Sequence, residues 1–223
     1  MRKFDLSTIN DDSVVAVFGK CGTGKTFLVK DLLYQNRDTP FRTVITQHET
    51  LYDDFITNRS IHKEEYTPSA IEKFVKRQRS MMDKHQTADP RALLVLEDCI
   101  FDNSWTKDTN LRHLFGHHLS VMLIITMQYP LRFPPPLQVN VDYLFVFQTS
   151  SSINMRLYKD FGRMFPSFDA FCEVINQCTD DFGCLVIDNN SKSDLLEDQI
   201  FWYKAEHRDL ESEECGSKRK RLE

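Results

Sequence analysis

The sequence predicts an α/β fold: a mostly parallel central sheet, helices on both of its faces, and antiparallel edge strands near the C-terminus. Three observations predict it. A glycine-rich loop, Gly19-Lys20-Cys21-Gly22-Thr23-Gly24-Lys25-Thr26, stands between an apolar run of strand length, Val14–Phe18, and a segment with helical spacing of apolar residues, Phe27–Tyr34. The runs Ala92–Leu96, Val121–Thr126 and Tyr143–Phe147 are almost unbroken apolar stretches, as expected of strands buried on both faces. Helical patterns alternate with these strands, and such alternation places crossover helices on both sides of a parallel sheet.

The elements follow in order. After the first strand and helix, Arg42–Gln47 reads as a strand and Glu49–Thr57 as a short helix. Pro68 opens a longer helix that reaches about His85, and Gln86–Arg91, with Asp89-Pro90, is a turn. Asp108–Gly116 reads as a helix that Gly116 stops. Pro130 through Pro136 forbids regular pairing and gives a stiff loop. Ile153–Arg163 and Ser167–Gln177 are helices, the second capped by Ser167. Phe182–Asp188 and Gln199–Tyr203 are late strands separated by a turn at Asn189–Lys192 and by no helix, so they pair antiparallel at an edge. One domain is expected over residues 1–208. The mixed-charge tail 209–223, with Lys218-Arg219-Lys220-Arg221 following Glu211, Glu213 and Glu214, reads as disordered.

Bulk composition narrows the function. The chain has 223 residues and a net charge of −5, from 28 basic and 33 acidic side chains. A protein that coats DNA is usually basic overall, so nucleic-acid contact must come from a local patch. Lys73, Lys76, Arg77 and Arg79, with Lys84 beyond, form one such cluster on a helix; the alternative is an ordinary solvated face. No apolar stretch approaches the ~18 residues that span a bilayer, and Met1-Arg2-Lys3 leads into polar residues rather than a signal peptide. The six cysteines contain no C-x-x-C pair, and the six-residue spacing of Cys172, Cys178 and Cys184 is not that of a zinc site. Reduced thiols are expected.

The glycine-rich loop fits G-x-x-x-x-G-K-[ST], and its strand–loop–helix setting is the context that motif requires. Its glycines let successive backbone N–H groups converge on an anion, and the positive end of the helix adds attraction. Gly19 through Thr26 are therefore assigned to ATP, with Lys25 reaching the β- and γ-phosphates and the Thr26 hydroxyl on Mg²⁺. A second element is Leu93-Leu94-Val95-Leu96-Glu97-Asp98, an apolar strand ending in two carboxylates. A parallel sheet delivers such residues to its carboxyl edge, beside the loop. Glu97 is expected to hold Mg²⁺ through water, and Asp98 to act as the base for the attacking water. Gln128, after the buried strand Val121–Thr126, is placed to sense the γ-phosphate and position that water.

At this point the chain resembles a known family, the DNA-packaging ATPases of nucleocytoplasmic large DNA viruses, within the FtsK/HerA superfamily of RecA-like P-loop NTPases. The resemblance rests on Phe18-Gly19-Lys20 with the loop, on Leu94-Val95-Leu96-Glu97-Asp98-Cys99, and on Ile124-Ile125-Thr126-Met127-Gln128-Tyr129-Pro130 leading to Asn140-Val141-Asp142-Tyr143. Met164-Phe165-Pro166-Ser167-Phe168, Phe171-Cys172, Gln177-Cys178-Thr179 and Asp198-Gln199-Ile200-Phe201-Trp202-Tyr203-Lys204-Ala205 complete it. The family's order of the acid pair is Asp first, whereas Glu97 precedes Asp98 here. Its Gly-Arg-His segment is Gly116-His117-His118 here, without the arginine.

The resemblance implies an ATP-hydrolysing ring, pentameric or hexameric, that moves double-stranded DNA into a preformed capsid and docks on capsid or portal-like components. It also implies residence in the host cytoplasm, at the virus factory, and in the virion, while the basic tail suits nuclear import or nonspecific DNA contact. A ring motor needs a cation from the neighbouring subunit at the γ-phosphate. Arg156, in Asn154-Met155-Arg156, is the favoured candidate among Arg112, Arg132, Arg156 and Arg163. Two other readings are a nucleotide-gated assembly protein with little turnover and a P-loop small-molecule kinase, though no compact arginine-rich lid is evident.

Overall fold

The continuous apolar runs become the centre of a nine-stranded sheet among the described residues of the computed structural model, which describes residues 1–48, 51–56, 61–62, 66–83, 89–100, 104–129 and 134–206. The strands are β1 (Arg2–Lys3), β2 (Val14–Phe18), β3 (Phe41–Thr46), β4 (Ile61–His62), β5 (Ala92–Glu97), β6 (Val121–Met127), β7 (Tyr143–Val146), β8 (Gly183–Asp188) and β9 (Ile200–Lys204). The helices are α1 (Lys25–Gln35), α2 (Pro68–Asp83), α3 (Thr109–Leu114), α4 (Pro135–Gln138), α5 (Ser151–Phe161) and α6 (Phe168–Cys178). The spatial order is β1-β9-β8-β7-β2-β6-β5-β3-β4. β8 runs against both its neighbours and every other pairing is parallel.

Both faces of the sheet are covered, which explains why its strands do not alternate with polar residues. On β2, Val14, Ala16 and Phe18 join one core with α2, α3, α5 and α6, while Val15 and Val17 join a second core with α1. The same two-residue period splits Leu94 and Leu96 from Leu93 and Val95 on β5, and Leu123 and Ile125 from Met122 and Ile124 on β6. Side chains of adjacent strand residues point to opposite faces, so each unbroken run serves two cores at once.

The predicted architecture is the observed one. Phe182–Asp188 and Gln199–Tyr203 do pair antiparallel, although Arg2–Lys3, which carried no strand signal, closes that edge in parallel with β9. Ser167 caps α6 by accepting the Ala170 N–H at 3.1 Å, and Asp108 caps α3 by accepting the Asn110 N–H at 2.8 Å. The short helix expected over Glu49–Thr57 is corrected. Residues 51–55 form turns, with Phe55 and Ile56 both donating to the Tyr52 carbonyl at 2.9 Å; Glu49, Thr50 and Thr57 lie outside the described residues. The reason is tertiary: Tyr52, Phe55 and Ile56 are all buried in the core under α1. Part of the proline-rich segment, Pro135–Gln138, is helical with proline in its first turn, and 130–133 lie outside the described residues, as does the tail from 207. None of the described helices is long and apolar enough to cross a membrane.

One buried polar contact locks β9 to α1. Tyr203 donates to the Asp31 carboxylate at 2.8 Å, and the Glu206 N–H reaches the same oxygen at 3.0 Å. Asp31 is buried, so its charge depends on such donors. Tyr203→Phe is expected to cost about 1–3 kcal/mol, read as a lower midpoint in urea denaturation.

Candidate functional site

The phosphate-loop sequence lies between β2 and α1 and is tied to both neighbouring strands. The Gly19 N–H donates to the Met127 carbonyl at 3.2 Å, and the Lys20 N–H to the Gln148 carbonyl at 3.2 Å. Gly22 and Gly24 take left-handed backbone angles, φ 74° and 111°, which only glycine adopts without steric cost. Gly24 is the N-cap of α1 and has no side chain to bind the first N–H groups of that helix. Those donors, at the positive end of the helix, form an anion site. Thr23 braces the loop by donating to the Lys20 carbonyl at 2.8 Å, and the loop residue Cys21 is exposed. Lys25 is buried; its Nζ donates to the Gly19 and Lys20 carbonyls at 3.0 and 3.1 Å and lies 3.4 Å from Asp98 Oδ2.

Glu97 ends β5 in register with Thr46 of β3 and Thr126 of β6. Its carboxylate, in a residue 3% exposed, collects three hydroxyl donors: Thr26 to Oε1 at 3.1 Å, Tyr52 to Oε1 at 2.5 Å, and Thr46 to Oε2 at 3.0 Å. A buried charge is stable only when its lone pairs are satisfied. Burial, and then the charge of Glu97, push the Tyr52 phenol well above its ordinary range, so it stays a neutral donor. The next residue, Asp98, has φ 42°, a left-handed value that Asp tolerates better than most residues. Its N–H donates to Thr126 Oγ1 at 3.0 Å, and its Oδ2 accepts from Gln128 Nε2 at 3.1 Å. The turn after β5 thus presents two carboxylates in different settings. Glu97 is enclosed by hydroxyls, and Asp98 faces the Lys25 ammonium and the exposed Gln128 amide.

This arrangement fits Mg²⁺. Magnesium takes oxygen ligands and keeps several of its waters, so a hydroxyl and a nearby carboxylate suffice to hold it. Thr26 Oγ1 and Glu97 Oε1 are 3.1 Å apart at the carboxyl edge of the sheet, beside the anion site.

Lys25, Thr26, Glu97, Asp98 and Gln128 are therefore brought together by the fold. Arg156 is not. It is exposed on α5, which packs on the sheet face opposite α1. Arg112 donates to the Thr106 carbonyl at 2.8 Å, Arg163 is exposed just beyond α5, and Arg132 lies outside the described residues. The Gly116-His117-His118 segment sits at the opposite edge of the sheet. His117 Nδ1 is 2.9 Å from the Asp12 carbonyl, and Nε2 is 3.6 Å from Asp142, which accepts the Val14 N–H at the start of β2. A five-residue strand, roughly 16 Å long, separates it from the phosphate loop. The missing arginine thus leaves this protomer's own loop unaltered. On α2, Lys76 pairs with Glu72, Arg77 lies over the Phe41 ring and Arg79 meets His113, so much of the basic cluster is engaged within the chain.

Comparison with known proteins places this geometry in a lineage. No family model matches the chain. It is 31% identical over 222 residues to protein L437 of Acanthamoeba polyphaga mimivirus, covering 93% of this chain and 78% of L437. It is also 31% identical over 215 residues to protein 075L of Invertebrate iridescent virus 6, covering 91% of this chain and 78% of 075L. The chain belongs to this family of large-DNA-virus proteins. The family matches the viral group of the resemblance drawn from the motifs, and its fold is that of viral packaging NTPases. B204, the DNA-packaging ATPase from Sulfolobus turreted icosahedral virus, superposes with a TM-score of 0.66 at 16% identity, over 89% of this chain and 100% of B204. The conjugation coupling protein TcpA of pCW3, solved with ATPγS, superposes with a TM-score of 0.56 at 12% identity, over 94% of this chain and 63% of TcpA.

Tyr52, Thr46 and Thr126 were missed in the sequence. The two threonines had a signal, since each is a hydroxyl near the end of an apolar strand. Tyr52 had none, because its segment carries a helical pattern. Two variants of this chain test the site. In Gly19→Ala the new Cβ would lie 2.6 Å from Phe147 Cβ and 2.8 Å from Thr23 Oγ1, so nucleotide binding is expected to fall at least about tenfold with the fold retained, by calorimetry and circular dichroism. Tyr52→Phe removes one of three donors to buried Glu97 and is expected to lower stability by about 1–3 kcal/mol, read in urea.

Proposed function

We propose that this chain is an ATP-hydrolysing motor of viral genome packaging, acting as a homo-oligomeric ring, pentamer or hexamer, that moves double-stranded DNA into a preformed capsid. The observation that carries the reading is the convergence at one sheet edge of the Lys25 ammonium, the Thr26–Glu97 oxygen pair and the Asp98–Gln128 pair. The packaging-NTPase fold of the solved neighbours supports an ATPase role.

In this reading the loop N–H groups and Lys25 hold the triphosphate, and the Thr26 hydroxyl and, through water, Glu97 hold Mg²⁺. When bound, the metal neutralises charge on the β- and γ-phosphates. Lys25 now faces Asp98; an arriving γ-phosphate draws the ammonium away and leaves Asp98 Oδ2 able to accept a proton from water that Gln128 orients. Tyr52 and Thr46 keep Glu97 fixed, so the longer side chain holds the position a shorter acid would otherwise take. Arg156 of a neighbouring subunit supplies the cation at the γ-phosphate. With an acidic chain overall, DNA is gripped through phosphate contacts to local basic side chains, and such contacts carry no sequence information. Capsid or portal-like components are the docking partners. The site of action is the host cytoplasm and the virion, with nuclear entry through the basic tail.

The Lys25–Asp98 ion pair favours a second reading, an assembly ATPase that binds nucleotide and seldom hydrolyses it. Phosphate release by the assembled protein, with and without duplex DNA across a salt series, decides between them. The motor requires stimulation by DNA that fades as salt rises. Lys25→Ala is expected to weaken ATP binding and lower turnover by about 100-fold or more. Asp98→Asn is expected to keep ATP affinity and lower kcat by about 100-fold or more; unchanged packaging in Asp98→Asn would leave the assembly reading.

A further inference from the structure

The reversed direction of β8 brings one more segment to the phosphate loop. Because β8 runs against β7, its first residue, Gly183, lies at the edge where β2 and β7 end. The turn before it, Asp180–Phe182, therefore stands on the β7 side of the loop. The contact is close: the Phe182 carbonyl oxygen and Cβ lie 3.3 and 3.5 Å from where a Cβ on Gly24 would be. Beneath, Phe147 is buried, its ring 3.1 Å from the same point.

Two features of this turn are unusual. Asp181 and Phe182 both hold left-handed φ angles, 50° and 61°, a conformation that a bulky side chain rarely adopts. Such strain persists where the surroundings enforce it, and it gathers at ligand-binding positions. Here Lys204 at the end of β9 anchors the turn through an ion pair with Asp181. The strained backbone also keeps an aromatic ring in water, since Phe182 is 60% exposed, and Phe27 in the first turn of α1 is 44% exposed. On the other side of the loop, toward β5 and β3, the space is taken by the Glu97, Tyr52 and Thr46 cluster. On the β7 side, the exposed Phe182 ring stands beside the loop at Gly24.

We propose that Phe182 is the stacking platform for the nucleobase of the bound nucleoside triphosphate. This rests on the phosphate-loop reading and adds the part of the ligand that reading leaves unassigned. An aromatic ring meets the flat face of a base, not its hydrogen-bonding edge, so the platform accepts any base and contributes affinity. Base–aromatic stacking is worth roughly ten- to hundredfold in affinity.

Calorimetric titration with magnesium-ATP and, separately, magnesium tripolyphosphate tests it in the full chain. In Phe182→Ala the ATP affinity is expected to fall about tenfold or more, tripolyphosphate affinity to stay at the wild-type value, and Phe182→Tyr to restore ATP binding. Wild-type ATP affinity in Phe182→Ala overturns the platform, and so does an equal loss for both ligands, which would mark a residue that only shapes the loop at Gly24. If Lys25→Ala leaves the affinity for both ligands at the wild-type value, the phosphate-loop reading itself fails and the platform falls with it.

Discussion

A carboxylate buried at the end of β5 is stable here because three hydroxyls from three separate parts of the chain converge on it. Thr26 comes from the helix after the phosphate loop, Thr46 from the end of β3, and Tyr52 from the turns that follow. None of the three is near Glu97 in sequence. Each reaches it because β2, β3, β5 and β6 run parallel and in register, so their carboxyl ends form one edge. Slipping any of these strands by one residue would turn its side chains to the opposite face and leave a charge without partners. The alignment of the sheet and the chemistry of its edge are thus one constraint.

The two edges of the sheet carry different work. At the carboxyl edge stand the phosphate loop, the acid pair and Gln128. At the amino edge Asp142 accepts the Val14 N–H and faces His117, while Arg91 pairs with Asp11 and Asp89. These contacts hold strand beginnings in place. They also place His117 at the edge of the sheet opposite the phosphate loop. β8 is the exception to the common strand direction, and its reversal returns the start of a late strand to the functional edge.

Much of the fold was legible because its signals are local. The loop motif needs only its own residues and flanks, and a strand buried on both faces declares itself as an unbroken apolar run. Lys25, Thr26, Glu97, Asp98 and Gln128 could be named for the same reason, each being an end-of-strand or loop residue in a recognisable pattern. The turn at 51–56 could not, since Tyr52, Phe55 and Ile56 have helical spacing but are held by burial under α1. Arg2–Lys3 gave no strand signal, because two polar residues form a strand only when β9 is there to pair with them.

By itself the sequence determined the fold class, the order of the main elements, and which loop and strand-end residues could meet at one edge of the sheet, since periodicity, glycine spacing and charge are properties of neighbours along the chain. Only the tertiary structure decided that Glu97 is wrapped in hydroxyls, that Asp98 faces Lys25, that position 117 lies at the far edge, and that Phe182 stands in a strained turn against Gly24. Those are distances between residues remote in sequence, and they exist only once hydrophobic burial on both faces has set the strands in register.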